Sequence, residues 1–192
     1  AEADVVVVGR LVVQGEVHAA LLVLLAHAQA QALRQRTPEC GIAWTTLAGI
    51  AFIESKHGTY HGATIAPDGK VSPPIRGVPL DGTNGNQEIL ATGTDPHRPN
   101  AKFDAAMGPF QFIPETWQRF GVDANGDGQS SPQNIDDAAA SAVRLLCDYE
   151  RDMGTPEGWT RAIRSYNLSD EYVLKVRDAA ANYGLNQPPE GV

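Results

Sequence analysis

Residues 42–53 read Ile-Ala-Trp-Thr-Thr-Leu-Ala-Gly-Ile-Ala-Phe-Ile, almost unbroken in apolar character, and the chain then turns polar at Glu54-Ser-Lys-His-Gly58. A run of this length without Pro predicts a helix, and one that is apolar nearly all round predicts a buried helix ended by Gly58. At about 100° per residue, Glu54 falls in the same arc as Ala43, Leu47 and Ile50. Periodicity alone leaves two placements open: the buried side of the helix, or the exposed last turn. On the buried side the carboxylate loses water, which disfavours its charged form and raises its pKa. A carboxylic acid still partly protonated near neutral pH can give a proton to a leaving group.

Upstream, residues 12–36 are rich in Ala, Leu, Gln and Val and predict a long helix, broken at Thr37-Pro-Glu-Cys-Gly41. From 59 to 105 the pattern collapses into Gly, Pro, Asp and Asn, and so long an irregular stretch within a domain is usually functional or disordered. Within it, residues 69–73 and 75–79 could pair as short strands. Pro114 suits the first turn of a helix running to Gly121. Asn134 or Asp136 can cap an Ala-rich helix reaching about residue 149, and Trp159, Ala162, Ile163 and Tyr166 recur at helical spacing. Ser169 can cap a last helix, with Asp170 and Glu171 complementing its dipole and Gly184 stopping it. The expected class is mainly α with one long irregular insertion. Residues 1–36 form a helical segment packed on the domain, 37–185 the domain itself and 186–192 an unstructured tail.

The chain has 192 residues, 42% hydrophobic and 20% charged, which suits one well-packed domain. Its formal net charge of −8 argues against a general nucleic-acid or anionic-membrane binder. No apolar run reaches the length of a membrane span. No basic leader with a cleavage site is visible, so any secretion signal has been removed. Cys40 and Cys147 are the two cysteines. Their spacing excludes a compact metal knuckle, and the count leaves one disulfide or two buried thiols open.

Three segments carry candidate chemistry: Glu54-Ser-Lys-His-Gly58, Ala106-Met-Gly-Pro-Phe-Gln-Phe-Ile-Pro-Glu-Thr-Trp117, and Ala162-Ile-Arg-Ser-Tyr-Asn167. Together and in this order they resemble the lytic transglycosylases that cut bacterial peptidoglycan. The closer likeness is to the membrane-bound lytic transglycosylase B family and its exported actinobacterial relatives. It runs from about Cys40 to Tyr183. The resemblance implies a lysozyme-like helical fold, with residues 59–105 as an insertion beside a saccharide cleft. It also implies that Glu54 acts alone. Glu54 would protonate the oxygen between N-acetylmuramic acid and N-acetylglucosamine, then serve as base on the muramic acid's own 6-hydroxyl, closing a 1,6-anhydro ring. One carboxylate suffices, unlike the pair of most glycosidases, and the internal hydroxyl gains from proximity.

In the same reading Gln111 contacts substrate, its amide offering a donor and an acceptor, and Tyr166-Asn167 forms the cleft floor, with the Tyr hydroxyl holding Glu54. Ser55 is a candidate partner of Glu54 or of the substrate. Phe112 is a candidate sugar contact, with the core as the alternative for it and for Phe110. His57 reads as structural. Asp104, if it faced Glu54, would position water for a hydrolytic muramidase of goose-lysozyme type; otherwise it is a loop residue. A non-catalytic glycan-binding module is the alternative outside enzymes.

Residues 123–134 place Asp123, Asn125 and Asp127 at the first, third and fifth positions of an EF-hand-like loop, with Gly128 at the sixth. Asn134 stands where the bidentate Glu belongs, so a structural Ca2+ held by Asp123, Asn125, Asp127, Gln129 and Asn134, or an Asx-rich turn, is expected. No cofactor is required. The substrate implies an extracytoplasmic location, peptidoglycan glycan strands as the partner of a monomer, and therefore a Cys40–Cys147 disulfide.

Overall fold

The computed structural model describes residues 40–83, 85–93, 95, 98–148, 152–185 and 187. The expected helix over 12–36, the break at 37–39 and most of the tail lie outside these residues. Five α-helices follow: α1 (Trp44–Ser55), α2 (Pro114–Phe120), α3 (Ile135–Leu146), α4 (Pro156–Tyr166) and α5 (Asp170–Gly184). The mainly α class is confirmed. No helix among the described residues is long and apolar enough to cross a membrane.

The all-round apolar run becomes the central helix. Leu47 and Ile50 of α1 are fully buried, packed with Val143 and Leu146 of α3, Ile163 of α4 and Val176 of α5 in one core. Burying side chains of this size contributes about 1.5–3 kcal/mol each. Helix α5 crosses α1 at Gly49, where an added Cβ would lie 3.1 Å from the Val176 carbonyl oxygen and 3.2 Å from the Ala180 nitrogen. That close approach brings the start of α5 beside the end of α1.

Capping follows the sequence. Pro114 opens α2, the Asn134 side chain accepts from the Asp136 and Asp137 N–H groups, and the Ser169 hydroxyl accepts from Tyr172 N–H. Helix α3 stops at Leu146, short of the expected residue 149. Its C-cap, Cys147, is bonded to Cys40, with Cα atoms 5.5 Å apart.

The insertion contains two antiparallel pairs: β1 (Thr64–Ile65) with β2 (Val71–Ser72), and β3 (Arg76–Pro79) with β4 (Ala105–Met107). The expected pairing of 69–73 with 75–79 is therefore wrong. Pro73, at the end of the first segment, and Pro74, between the two, have no N–H donors. Val71 instead folds back over the Pro67–Gly69 turn and buries against Ala63 and Ile75. Beyond β3, backbone bonds from Leu80 to Asp104, Ile89 to Leu80 and Ala91 to Lys102 order the stretch that lacks a period.

Candidate active site

Helix α1 ends in an unusual turn. Lys56 (φ 50°) and His57 (φ 58°) both take the left-handed conformation, followed by Gly58, while their N–H groups still bond to Phe52 and Ala51 carbonyls. Two successive non-glycine residues at positive φ cost on the order of 1–3 kcal/mol each unless their surroundings fix them. Two contacts do so. The Ser55 hydroxyl donates to the Pro109 carbonyl at 2.6 Å and accepts from Gly58 N–H at 2.7 Å. His57 is buried and its Nε2 meets the Tyr183 hydroxyl of α5. Burial pushes the His57 pKa down to about 4, so the ring is neutral near pH 7 and acts as a post. Ser55, 1% exposed, thus acts as a staple, its hydroxyl engaged by both backbone partners. Ser55→Ala would strand two buried backbone groups at about 1–3 kcal/mol. A thermal melt and turnover measured together check this; both should fall.

The staple joins α1 to the turn that presents Gln111. Met107 and Phe112 exchange backbone hydrogen bonds around it, and Gln111 itself stands at φ 50°. Gly108 (φ 75°) has no room for a Cβ, which would meet the Pro132 carbonyl oxygen at 1.7 Å. The Tyr166 hydroxyl donates to the Phe110 carbonyl at 2.6 Å, fixing the turn from the other side. Phe112 packs in the core, edge-on to Trp117 and Tyr166 and 2% exposed, the core alternative of its sequence reading.

Glu54 is half-buried as a residue, yet its carboxyl end is enclosed, and this burial pushes its pKa up to about 7. The Tyr172 hydroxyl opposes the rise by donating to Oε1 at 2.6 Å. The expected holder of Glu54 was Tyr166; the structure assigns that hydrogen bond to Tyr172 instead. The two rings stack in parallel, centroids 6.4 Å apart. Burial, with the Glu54 charge second, raises both phenol pKa values well above normal, so both stay donors. Tyr172 was missed in the sequence, although it heads the apolar stripe Tyr172, Val176, Ala179 of α5.

Two cavities meet at Gln111. One, of about 400 Å3, is lined by Phe52, Ile53, Glu54, Tyr60, His61 and Arg76 among others. The other, of about 780 Å3, is lined by Leu80, Ile89, Tyr166 and Asn167 among others. Asn167 ends α4, and its side-chain oxygen accepts from Ser169 N–H at 3.0 Å. Among the described residues, Glu54 is the sole carboxyl group lining its cavity. Asp104 does not face it: it is buried in the insertion and accepts from the Thr92 N–H and hydroxyl. The water-positioning role raised for Asp104 is corrected accordingly.

The expected cation loop is built from Asx turns. Asp123 accepts from Gly126 and Gly128 N–H groups, Asn125 from Asp127, and Asp127 from Gln129. Asn134 is turned away as the cap of α3 and donates to the Asp68 carbonyl, so it is corrected as a cation ligand. Fully buried Asp137 ties the loop instead, accepting from Ala124, Asn125 and Ser131 N–H groups. No cluster of three or more His, Cys, Asp or Glu fit to hold a metal occurs among the described residues.

Residues 88–160 match the family described as the transglycosylase SLT domain. The fold of the chain is similar to that of the Escherichia coli lytic transglycosylase Slt35 solved with calcium, at TM-score 0.56 and 16% identity, covering 88% of this chain and 75% of that one. A 36 kDa muramidase/transglycosylase matches equally, at TM-score 0.56 and 16% identity over 88% and 76%. Slt35 in complex with bulgecin A gives TM-score 0.52 at 16% identity over 88% and 74%. No curated protein sequence matches significantly. The lysozyme-like helical fold expected from the motifs is thus confirmed. The SLT match contains the Gln111 turn but neither Glu54 nor Tyr166, Asn167 and Tyr172.

Proposed function

We propose that this protein is an extracytoplasmic lytic transglycosylase that cleaves the bond between N-acetylmuramic acid and N-acetylglucosamine in peptidoglycan, with Glu54 as acid and then base. The observation that carries the reading is a carboxyl with its pKa raised to about 7 by burial, lining a cavity that shares Gln111 with a second one. Protonated Glu54 gives its proton to the glycosidic oxygen. The resulting carboxylate keeps the Tyr172 hydroxyl on Oε1 and takes the proton of the 6-hydroxyl as that oxygen closes on C1. Gln111, at the meeting of the cavities, and Asn167 offer amides to the acetamido groups. The partial domain match and the fold shared with Slt35 support this reading, and among the described residues nothing else carboxylic lines the Glu54 cavity to direct water. Mass spectrometry of products from purified sacculi tests it. Anhydro ends, lighter by one water than reducing ends, are expected; reducing ends alone would make the enzyme a muramidase.

The pH dependence follows from the same group. The acid step needs protonated Glu54, so kcat/KM should fall as pH rises through about 7. The Tyr172 hydrogen bond lowers the Glu54 pKa, so Tyr172→Phe should move this descending limb to higher pH and also lower kcat, because the carboxylate formed loses its donor. A pH–rate profile of the variant with an unmoved limb would contradict the assignment.

A structural cation is supported by the calcium found with Slt35. Here Asp123, Asn125, Asp127 and Gln129 would hold one, in an exposed loop and without Asn134, so any binding is weak and no step passes through it. Chelator treatment should leave turnover unchanged.

A further inference from the structure

The Glu54 cavity has an aromatic wall that the mechanism above does not use. Tyr60 and His61 line it together with Phe52, Ile53, Arg76 and Val78. Tyr60 is 46% exposed and Val78 65%, so these apolar surfaces are not committed to the core. The Tyr60 and His61 rings contact each other with centroids 4.0 Å apart at 59°, which orients the pair. His61 stands at φ 54°, between Tyr60 and a Gly62 at φ 79°. A non-glycine residue held in the left-handed region beside an acid is a strained arrangement of the kind that clusters at ligand sites.

Resting on the reading of Glu54 as a glycan-cleaving acid, we infer that Tyr60 and His61 form a stacking platform for one pyranose ring of the strand. This ring lies on the opposite side of the reacting bond from the sugar held by Gln111, Tyr166 and Asn167. A pyranose presents a face of C–H bonds, weakly positive, which suits the negative face of an aromatic ring. A bond cut at Glu54 has a sugar on either side, and the two cavities that share Gln111 provide one compartment for each. Stacking restrains a ring in plane while its hydroxyls turn to polar neighbours; Lys56 and the Asp95-paired Arg76 lie at the same cavity.

The test compares Tyr60→Ala, Tyr60→Phe and His61→Ala on solubilised glycan strands of defined length, with folding followed by circular dichroism. Tyr60→Ala should raise KM about tenfold while kcat stays within about threefold, because stacking holds the ring in both ground and transition states. Tyr60→Phe, which keeps the ring, should recover most of that affinity. Sedimentation with intact sacculi, performed in a Glu54→Gln background, should show the same order of binding. Wild-type KM in Tyr60→Ala, or failure of Phe to restore what Ala loses, would overturn the platform. If Tyr60→Ala fails to fold, His61→Ala decides by the same KM criterion. Absence of cleavage by the wild type would instead overturn the reading of Glu54, and the binding arm would still judge the platform.

Discussion

Glu54→Gln should abolish release of anhydro products from sacculi, a loss of at least about a thousandfold, while the protein remains folded. General acid–base catalysis contributes roughly 10²–10⁴-fold, and here one group would carry both the acid and the base step. The amide cannot give up a proton to an alkoxide leaving group, yet its carbonyl can still accept the Tyr172 hydroxyl that now meets Oε1. Stability separates this from a folding defect, and its sign is fixed by linkage. The folded-state pKa is raised from 4.5 to about 7, so between those values the native protein holds more protons than the unfolded chain. Wild-type stability therefore declines as pH rises from about 4.5 to about 7. Glu54→Gln removes that decline, so above pH 7 the variant should melt at or above the wild-type temperature. Retained activity in a well-folded Glu54→Gln protein would remove Glu54 from the chemistry.

Glu54 was legible because an uninterrupted apolar run makes its helix central whatever surrounds it, and a charged residue at the end of such a run stands out. The caps were legible for a similar reason: Pro114, Asn134 and Ser169 satisfy helix N-termini through local bonds that need no tertiary knowledge. The partner of Glu54 was not. Tyr172 lies 118 residues away, and its reach to Oε1 depends on the crossing of α1 and α5 at Gly49, which no period encodes. Tyr166, the motif residue, spends its hydroxyl on the Phe110 carbonyl and acts on the site through the Gln111 turn. Ser55 and Phe112 stand out in the sequence because each adjoins a candidate site residue, but the last turn of α1 turns Ser55 inward and the Met107–Phe112 backbone pairing turns Phe112 into the core. The strand pairings failed because two- to four-residue strands carry too little pattern to select a partner.

Replacing Cys40 and Cys147 together by Ala should lower unfolding stability by about 4–5 kcal/mol, since a bond across 107 residues closes a long loop in the unfolded chain. For a domain of this size the melting temperature should fall on the order of 10 °C. Calorimetry of the double variant measures it, and alkylation of the oxidised wild type without reductant should label neither cysteine. An unchanged melting temperature, or two labelled thiols, would contradict the bond. Turnover at 25 °C should change little, for a reason visible in the connectivity. Cys40 clips the start of α1 to the end of α3, and its carbonyl accepts Met153 N–H at 2.6 Å, all at the far end of α1 from Glu54. The contacts that aim Glu54 are Tyr172 from α5 and the Ser55–Pro109 staple. Neither passes through the disulfide, so its removal should weaken the fold long before it disturbs the acid.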